Sequence, residues 1–498
     1  MSKIRYNLGI VQRQGIKNTI IIYVGIIIGF ISLLIIQPAY LSKSEIGLTR
    51  LLLAFSSLFS SVFSISISNI TIRFFPQFKN YEKKHHGYFG FMLLFPLIGS
   101  LIGCSLLFLF KDFITTYYSK DSKIFVDYFY YTFLFSFFVT MVITLNGYCA
   151  GILKTTVPSF LNDVVNRIVF IGLILAYAFG VLSFHQFVVG FIFSYGLIGF
   201  ILLFFIYKYD NPGLKIDWGH IRHIGLASIL KYGFVLTITA ITSVGLKFLD
   251  MIMIGHYKSE ADVGVYSIAA FIAMVIETPL NSLERIAHTK ISHAFAANNL
   301  IEIKEIYFKS SRYLLLFGGL LTVLVITNIQ DVLMLLPNDF SAGINVSILL
   351  SISAFINMVT GVNYPIIFNS NKYYWGSVFV FVLLTTAIAL NISLIPKYGI
   401  LGAAIATGVS SVVYNLLKYL FIWYHFKMQP FDKKTLQVIL IIVASLCINY
   451  LIPNLNNRYI NIAFHGTTIL FFYLLSVYIL KVVPEFHPYI PFIGKKRE

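Results

Sequence analysis

SKSEIGLTRLLLAF, residues 42–55, and KSEADVGVYSIAAF, residues 258–271, align without a gap when Gly47 is set on Gly264. Each begins polar and runs into apolar chain. The same register sets Arg73 on Lys290 and Phe78 on Phe295, just beyond the helix that follows. A long unit has been duplicated within the chain, as in membrane proteins built from two related halves.

Composition agrees. Of 498 residues 58% are hydrophobic and only 11% charged, against about 25% charged in an ordinary soluble domain. Apolar runs of about twenty residues, each enough to cross about 30 Å of hydrocarbon as a helix, recur along the whole length. We place fourteen spans, centred within Thr19–Gln37, Leu48–Ile70, Tyr88–Phe110, Phe125–Cys149, Pro158–Gly180, Phe184–Tyr207 and Ser228–Ile254 in the first part. The others fall within Val263–Leu283, Tyr313–Leu336, Ile344–Phe368, Trp375–Ile395, Ile400–Trp423, Leu436–Ile452 and Ile460–Val483. The fold class expected is an all-α polytopic membrane protein with two parallel six-helix lobes around a central cavity and two extra C-terminal helices. Its parts would be a lobe over residues 1–207, a cytoplasmic linker over 208–227, a second lobe over 228–428, and two further helices with a cytoplasmic tail over 429–498. The stretch HAFAANNLIEIKEIYFKSSRY, residues 293–313, reads as a short amphipathic helix at the membrane surface.

The net charge of +17 would point to nucleic acid in a soluble protein, but here it is topological. Roughly three quarters of the Lys and Arg fall in alternate loops, which places both termini in the cytoplasm. Cys104, Cys149 and Cys447 are scattered, without metal or redox spacing. No metal cluster, phosphate-binding glycine loop or nucleophile triad is present in the sequence. We expect no cofactor, no metal and no enzymatic activity.

Three motifs carry a resemblance over essentially the whole chain: RQGIKNT at 13–19, KFLDMIMIGHYKSEADVGVYSIA from Lys247, and LIPKYGILGAAIATG at 394–408. The chain resembles the polysaccharide flippase family (O-antigen and other lipid-linked oligosaccharides) of the multidrug/oligosaccharidyl-lipid/polysaccharide exporter superfamily. That resemblance implies a multi-pass protein of the bacterial inner membrane that moves polyprenyl-diphosphate-linked oligosaccharide by alternating access for polysaccharide biosynthesis, lipopolysaccharide among its products. The partners implied are that lipid, the surrounding membrane lipids, a coupling H+ or Na+ and a polysaccharide polymerase, without nucleic acid. The alternative is a cation-coupled multidrug exporter on the same fold.

Site candidates come from charges inside the apolar runs, because each is costly in a membrane and rarely faces lipid. Arg167 lies about 15 Å into the fifth run. Asp163 is one turn earlier, and Asn162 and Asn166 repeat the spacing. Arg167 either pairs internally with Asp163 or contacts a diphosphate or sugar. Lys247 and Asp250 are a packing pair, or a gating pair as the resemblance implies for Asp250. Arg50 heads a serine stripe, Ser57, Ser61, Ser64 and Ser68, which either lets helices approach or offers hydroxyls to a sugar. In ETPLNSLERIAH, residues 277–288, Glu277 and Asn281 lie deep enough to line a cavity, with Glu277 also able to carry a coupling proton. Glu284, Arg285 and His288 read as the solvated helix end. Arg13 and Lys17 orient the first helix, or catch a diphosphate.

Overall fold

The computed structural model describes residues 17–118 and 122–482, apart from the side chains of residues 104, 106 and 107. The described residues form helices and loops without a strand. In order these are α1 (Lys17–Tyr40), α2 (Lys43–Phe63), α3 (Ile67–Phe78), α4 (Tyr88–Tyr118), α5 (Tyr131–Gly151), α6 (Thr156–Ala178) and α7 (Phe184–Asp210). There follow α8 (Leu226–Tyr257), α9 (Glu260–Ala296), α10 (Leu300–Leu335), α11 (Gly343–Val359), α12 (Asn363–Asn369), α13 (Tyr374–Phe426), α14 (Lys433–Asn449) and α15 (Arg458–Ile479). Short helices Lys123–Tyr128 and Trp218–Ile224 sit between them.

Eleven helices are long and apolar enough to cross a membrane, or twelve when α11 and α12, bent by 51°, count as one span. The exact count of fourteen is not confirmed, for two reasons. The 53-residue α13 joins two expected spans end to end and is broken at Gly399, at φ 60° and ψ −138°, close to Pro396. A straight helix of that length would measure about 80 Å, more than twice the hydrocarbon thickness. The other is α14, only 17 residues long. The second span holds as one stretch, Lys43–Phe78, with left-handed backbone at Ile65 and Ser66 inside it. One further expectation is corrected. The proposed surface helix is instead the first turns of the continuous α10, with Ile303 and Tyr307 buried.

The chain packs as two compact units, Met1–Ser267 and Ile268–Glu498. Helix α8 belongs to the first because it packs on α2 and α3. The two copies of the repeat motif also meet there. Ser42 caps α2 by accepting from the Glu45 amide at 3.3 Å, and Glu45 answers by accepting from the Ser42 amide at 2.7 Å. Ser259 repeats this at the start of α9, accepting from the Asp262 amide at 3.2 Å and donating to its carboxylate at 2.8 Å. These are reciprocal capping contacts at equivalent positions. A methyl group on Gly47 would strike the Glu260 carbonyl, and one on Gly264 would strike the Lys43 carbonyl. Lys43 and Glu260 are themselves equivalent in the repeat register, so the contact is self-complementary, as across a local two-fold axis.

In the second unit α14 and α15 pack on α10. The Tyr473 hydroxyl donates to the Leu316 carbonyl at 2.8 Å, Asn461 to Asp331 at 2.6 Å, and Arg312 to Asp432 at 2.7 Å. Asp432 also caps α14 through the Thr435 amide at 2.9 Å. Partial burial works to raise the Asp432 carboxyl, but the Thr435 donors and the Arg312 guanidinium outweigh it and hold the group below the ordinary aspartate range.

Two predictions follow from this packing. Gly264→Ala should lower stability by about 1–3 kcal/mol, the usual cost of overpacking, in thermal unfolding of detergent-purified protein. Gly245→Ala, where nothing lies within 4 Å of the added carbon, should not. Because the Asp432 carboxyl is depressed, its contribution is fully present above the unfolded value of about 3.9 and lost as pH falls through the folded one. Wild-type stability should therefore drop in acid below about pH 4 by more than that of Asp432→Asn, in paired unfolding curves.

Candidate functional site

In the first unit the site is built on a close approach of α1 and α6. Gly25 and Gly29 are spaced as GxxxG, which lets helix backbones come together. A methyl on Gly25 would meet Asp163, and one on Gly29 would strike the Arg167 guanidinium. Arg167 Nη1 donates to the Gly25 carbonyl at 2.6 Å. Wide π turns occur in both helices, at Ile31–Ile36 and Leu161–Val165. Such turns leave helix carbonyls off the regular ladder and recur at functional sites.

Arg50 of α2 donates through Nη2 to Gln37 Oε1 at 2.9 Å, and buried Gln37 donates on to Ser32 at 3.1 Å. Arg50 Nε is buried without an acceptor among the described residues. Arg50, Arg167 and the Tyr195 phenol feel one another's charge. Lys247 lies in the field of Arg167, its ammonium 5.1 Å over the Phe248 ring, and Asp163 is the carboxylate acting on Arg167. Asn166 accepts from Ser194 at 3.1 Å. The structure thus brings Arg50, Asp163, Asn166, Arg167 and Lys247 into one polar cluster with a surplus of positive charge. Asp250 is engaged elsewhere, accepting the Tyr266 hydroxyl. Lys17 is exposed at the start of α1, and Arg13 lies outside the described residues.

In the serine stripe, Ser61 donates to the Leu58 carbonyl of its own helix at 2.7 Å, and Ser68 packs against Gly147 of α5.

The second unit holds Glu277, which accepts from Asn357 at 3.2 Å. Asn281 is exposed. Glu284 is not a solvated end. It is half-buried and shares its field with Lys418, Tyr364 and Tyr414. Lys418, 4% exposed, is the residue the sequence reading missed, although the rule for charges in apolar runs applies to it as written. The GIIIG signal in α1 was likewise present and unread. Among the described residues no group of three or more His, Cys, Asp or Glu side chains is placed to hold a metal ion.

Long apolar helices, a duplicated capping motif and polar clusters buried among them define a multi-pass membrane protein. A family described as "Polysaccharide biosynthesis protein" matches residues 13–285, more than half of the chain, and the MatE family matches residues 236–397. The chain belongs to the polysaccharide biosynthesis protein family. A curated relative, "Probable flippase AglR" of Haloferax volcanii, is 27% identical over 203 residues, spanning 39% of this chain and 41% of that one. Among solved structures, "Lipid II flippase MurJ, inward closed conformation" shares the fold with a TM-score of 0.76 at 17% identity, over 93% of this chain and 98% of that one. A multidrug resistance MATE family transporter in an inward-facing conformation follows with a TM-score of 0.62 at 12% identity, over 79% and 92%.

The Gly29 contact yields a double-mutant test. Gly29→Ala should cost about 1–3 kcal/mol in thermal unfolding because the methyl displaces the guanidinium. In an Arg167→Ala background the same change should cost less than half as much, the mark of direct coupling.

Proposed function

We propose that this chain flips polyprenyl-diphosphate-linked oligosaccharide across the bacterial cytoplasmic membrane by alternating access, in the synthesis of a surface polysaccharide. The observation that carries this reading is the basic cluster of the first unit. Arg50, Arg167 and Lys247 share one field in which Asp163 is the acting carboxylate, and Arg50 keeps a buried donor without an acceptor. Such a cluster suits a diphosphate, which offers several acceptor oxygens and two or more negative charges. A hydrophobic organic cation would be repelled by it. Family membership and the flippase relative support the same substrate class.

A second reading, a cation-coupled multidrug exporter, is favoured by the MatE match over residues 236–397. The two separate in a deletion strain. The flippase reading expects lipid-linked oligosaccharide to accumulate, restored to normal by wild type. Arg50→Gln should restore flipping about tenfold less well, the loss expected for one charge-assisted contact, while its thermal stability stays close to wild type. Altered drug susceptibility without accumulation of the lipid-linked intermediate would overturn the proposal in favour of the exporter.

A further inference from the structure

The loop between α3 and α4 is fastened to the connection that runs from α7 to α8. The Gly213 amide donates to the Lys84 carbonyl at 3.3 Å, and the Asp217 amide to the His86 carbonyl at 3.1 Å. A methyl on Gly87 would strike the Lys215 carbonyl, and one on Gly90 the Leu214 carbonyl, so the two segments meet backbone to backbone. Lys84, His85, His86 and Gly87 all take left-handed backbone, at φ 45°, 56°, 52° and 68°. Three of the four carry a Cβ, which disfavours that conformation, so the loop keeps this shape only while its contacts hold it.

Two imidazoles stand at the centre of the contact. The rings of His86 and His220 stack 3.8 Å apart and within 7° of parallel. His86 Nδ1 is 3.1 Å from Asp217 Oδ2, and His220 Nε2 is 3.3 Å from the Gln77 carbonyl oxygen. Both partners only accept, so each of those nitrogens carries the proton and the other nitrogen of each ring is where a second would add. Asp217 also accepts the His220 amide at 3.0 Å, capping the short helix Trp218–Ile224. That amide and then His86 hold the Asp217 carboxyl below the ordinary aspartate range, so it stays ionised where histidines titrate.

Among the described residues the stack is bonded to one carboxylate, Asp217. Asp210 of α7 is engaged by His85, whose Nε2 lies 3.2 Å away, and by the Tyr148 hydroxyl of α5, which donates to it at 2.5 Å. His85 Nδ1 in turn accepts the Asn80 amide at 3.1 Å. Phe78 presents a neutral ring to His220, and Tyr81 one to His85. Lys79 acts on Asp210. Lys83, Lys84, Lys215, Arg222 and His223 are exposed on the same two segments, with Glu82 the exposed carboxylate among them.

We propose that this contact is an acid-released clasp: a first proton leaves one imidazolium opposite Asp217, whereas a second sets two cations face to face and parts the loop from the connection. Each proton comes from water and forms one N–H bond on one ring. The closed clasp holds one added proton on the pair and the open one holds two, so falling pH drives opening. Opening relaxes the left-handed loop and frees the approach to α8 from its tether, leaving α8 its packing on α2 and α3. The clasp does not depend on what the chain transports.

The test is hydrogen exchange of the purified full chain in lipid nanodiscs, read at the Gly213 and Asp217 amides as protection relative to the intrinsic rate at each pH. Protection should fall about tenfold or more between about pH 8 and about pH 5, the effect of a one-unit difference in a single histidine between closed and open clasp. His86→Asn retains an N–H where Nδ1 stands, and His220→Gln retains one where Nε2 stands, so each keeps its hydrogen bond while removing one ring that titrates. In either variant protection should change less than about twofold across the same range. Constant protection in wild type, or the wild-type loss in both variants, would overturn the clasp. So would an equal acid loss at the amides of α5, which would report general unfolding.

Discussion

A guanidinium held inside an apolar helix bundle must find acceptors, and in the first unit that requirement fixes the neighbourhood. Arg167 cannot shed its charge, so it takes the Gly25 carbonyl. Reaching that carbonyl demands that α1 and α6 touch, which Gly25 and Gly29 permit and any larger side chain would prevent. The π turns in the same two helices belong to this arrangement, because they alter which carbonyls and side chains face the seam. Arg50 then has to be accommodated beside a charge of its own sign, and it is tethered by Gln37, whose amide is tied in turn to Ser32. The bonds from Arg167 to Gly25 and from Arg50 to Gln37 use neutral acceptors, and Asp163 is the carboxylate acting on Arg167.

Much of this was legible in the sequence. Intramembrane charge is scarce, so Arg50, Arg167, Lys247 and Glu277 stood out from the apolar runs that contain them. Their partners did not. The pairing of α1 with α6 is a tertiary fact, and it gives Arg167 the Gly25 carbonyl in addition to the Asp163 carboxylate that spacing along one helix suggested. Lys247 and Asp250 likewise looked like a pair by spacing. In the fold the first answers to Arg167, while the second accepts the Tyr266 hydroxyl.

Glu284 was misread for a related reason. Followed by Arg285 and His288, it has the look of a helix end meeting water, and depth counted along one helix supports that. Burial, however, is decided by what lies across from a residue, and Lys418 with its tyrosine neighbours arrives from α13, more than a hundred residues later. The span count turns on the same kind of detail: hydropathy reads two spans over 375–423, and the helical backbone breaks between them at Gly399.

The repeat shows what duplication kept and what it changed. Ser42 and Ser259 cap their helices in the same way, and Gly47 and Gly264 make the same close approach, so the framework is preserved at both copies. In that register Arg50 falls on Ser267, Glu277 on Ser60 and Glu284 on Ile67. None of these charges has a charged counterpart. A structural requirement of the fold would act on both copies alike, since both copies adopt the same local backbone. Charges present in only one copy are therefore not part of the shared framework. The first unit gathers Arg50, Arg167 and Lys247, the second holds Glu277, Glu284 and Lys418, and this asymmetry is laid over a framework that is the same at both copies.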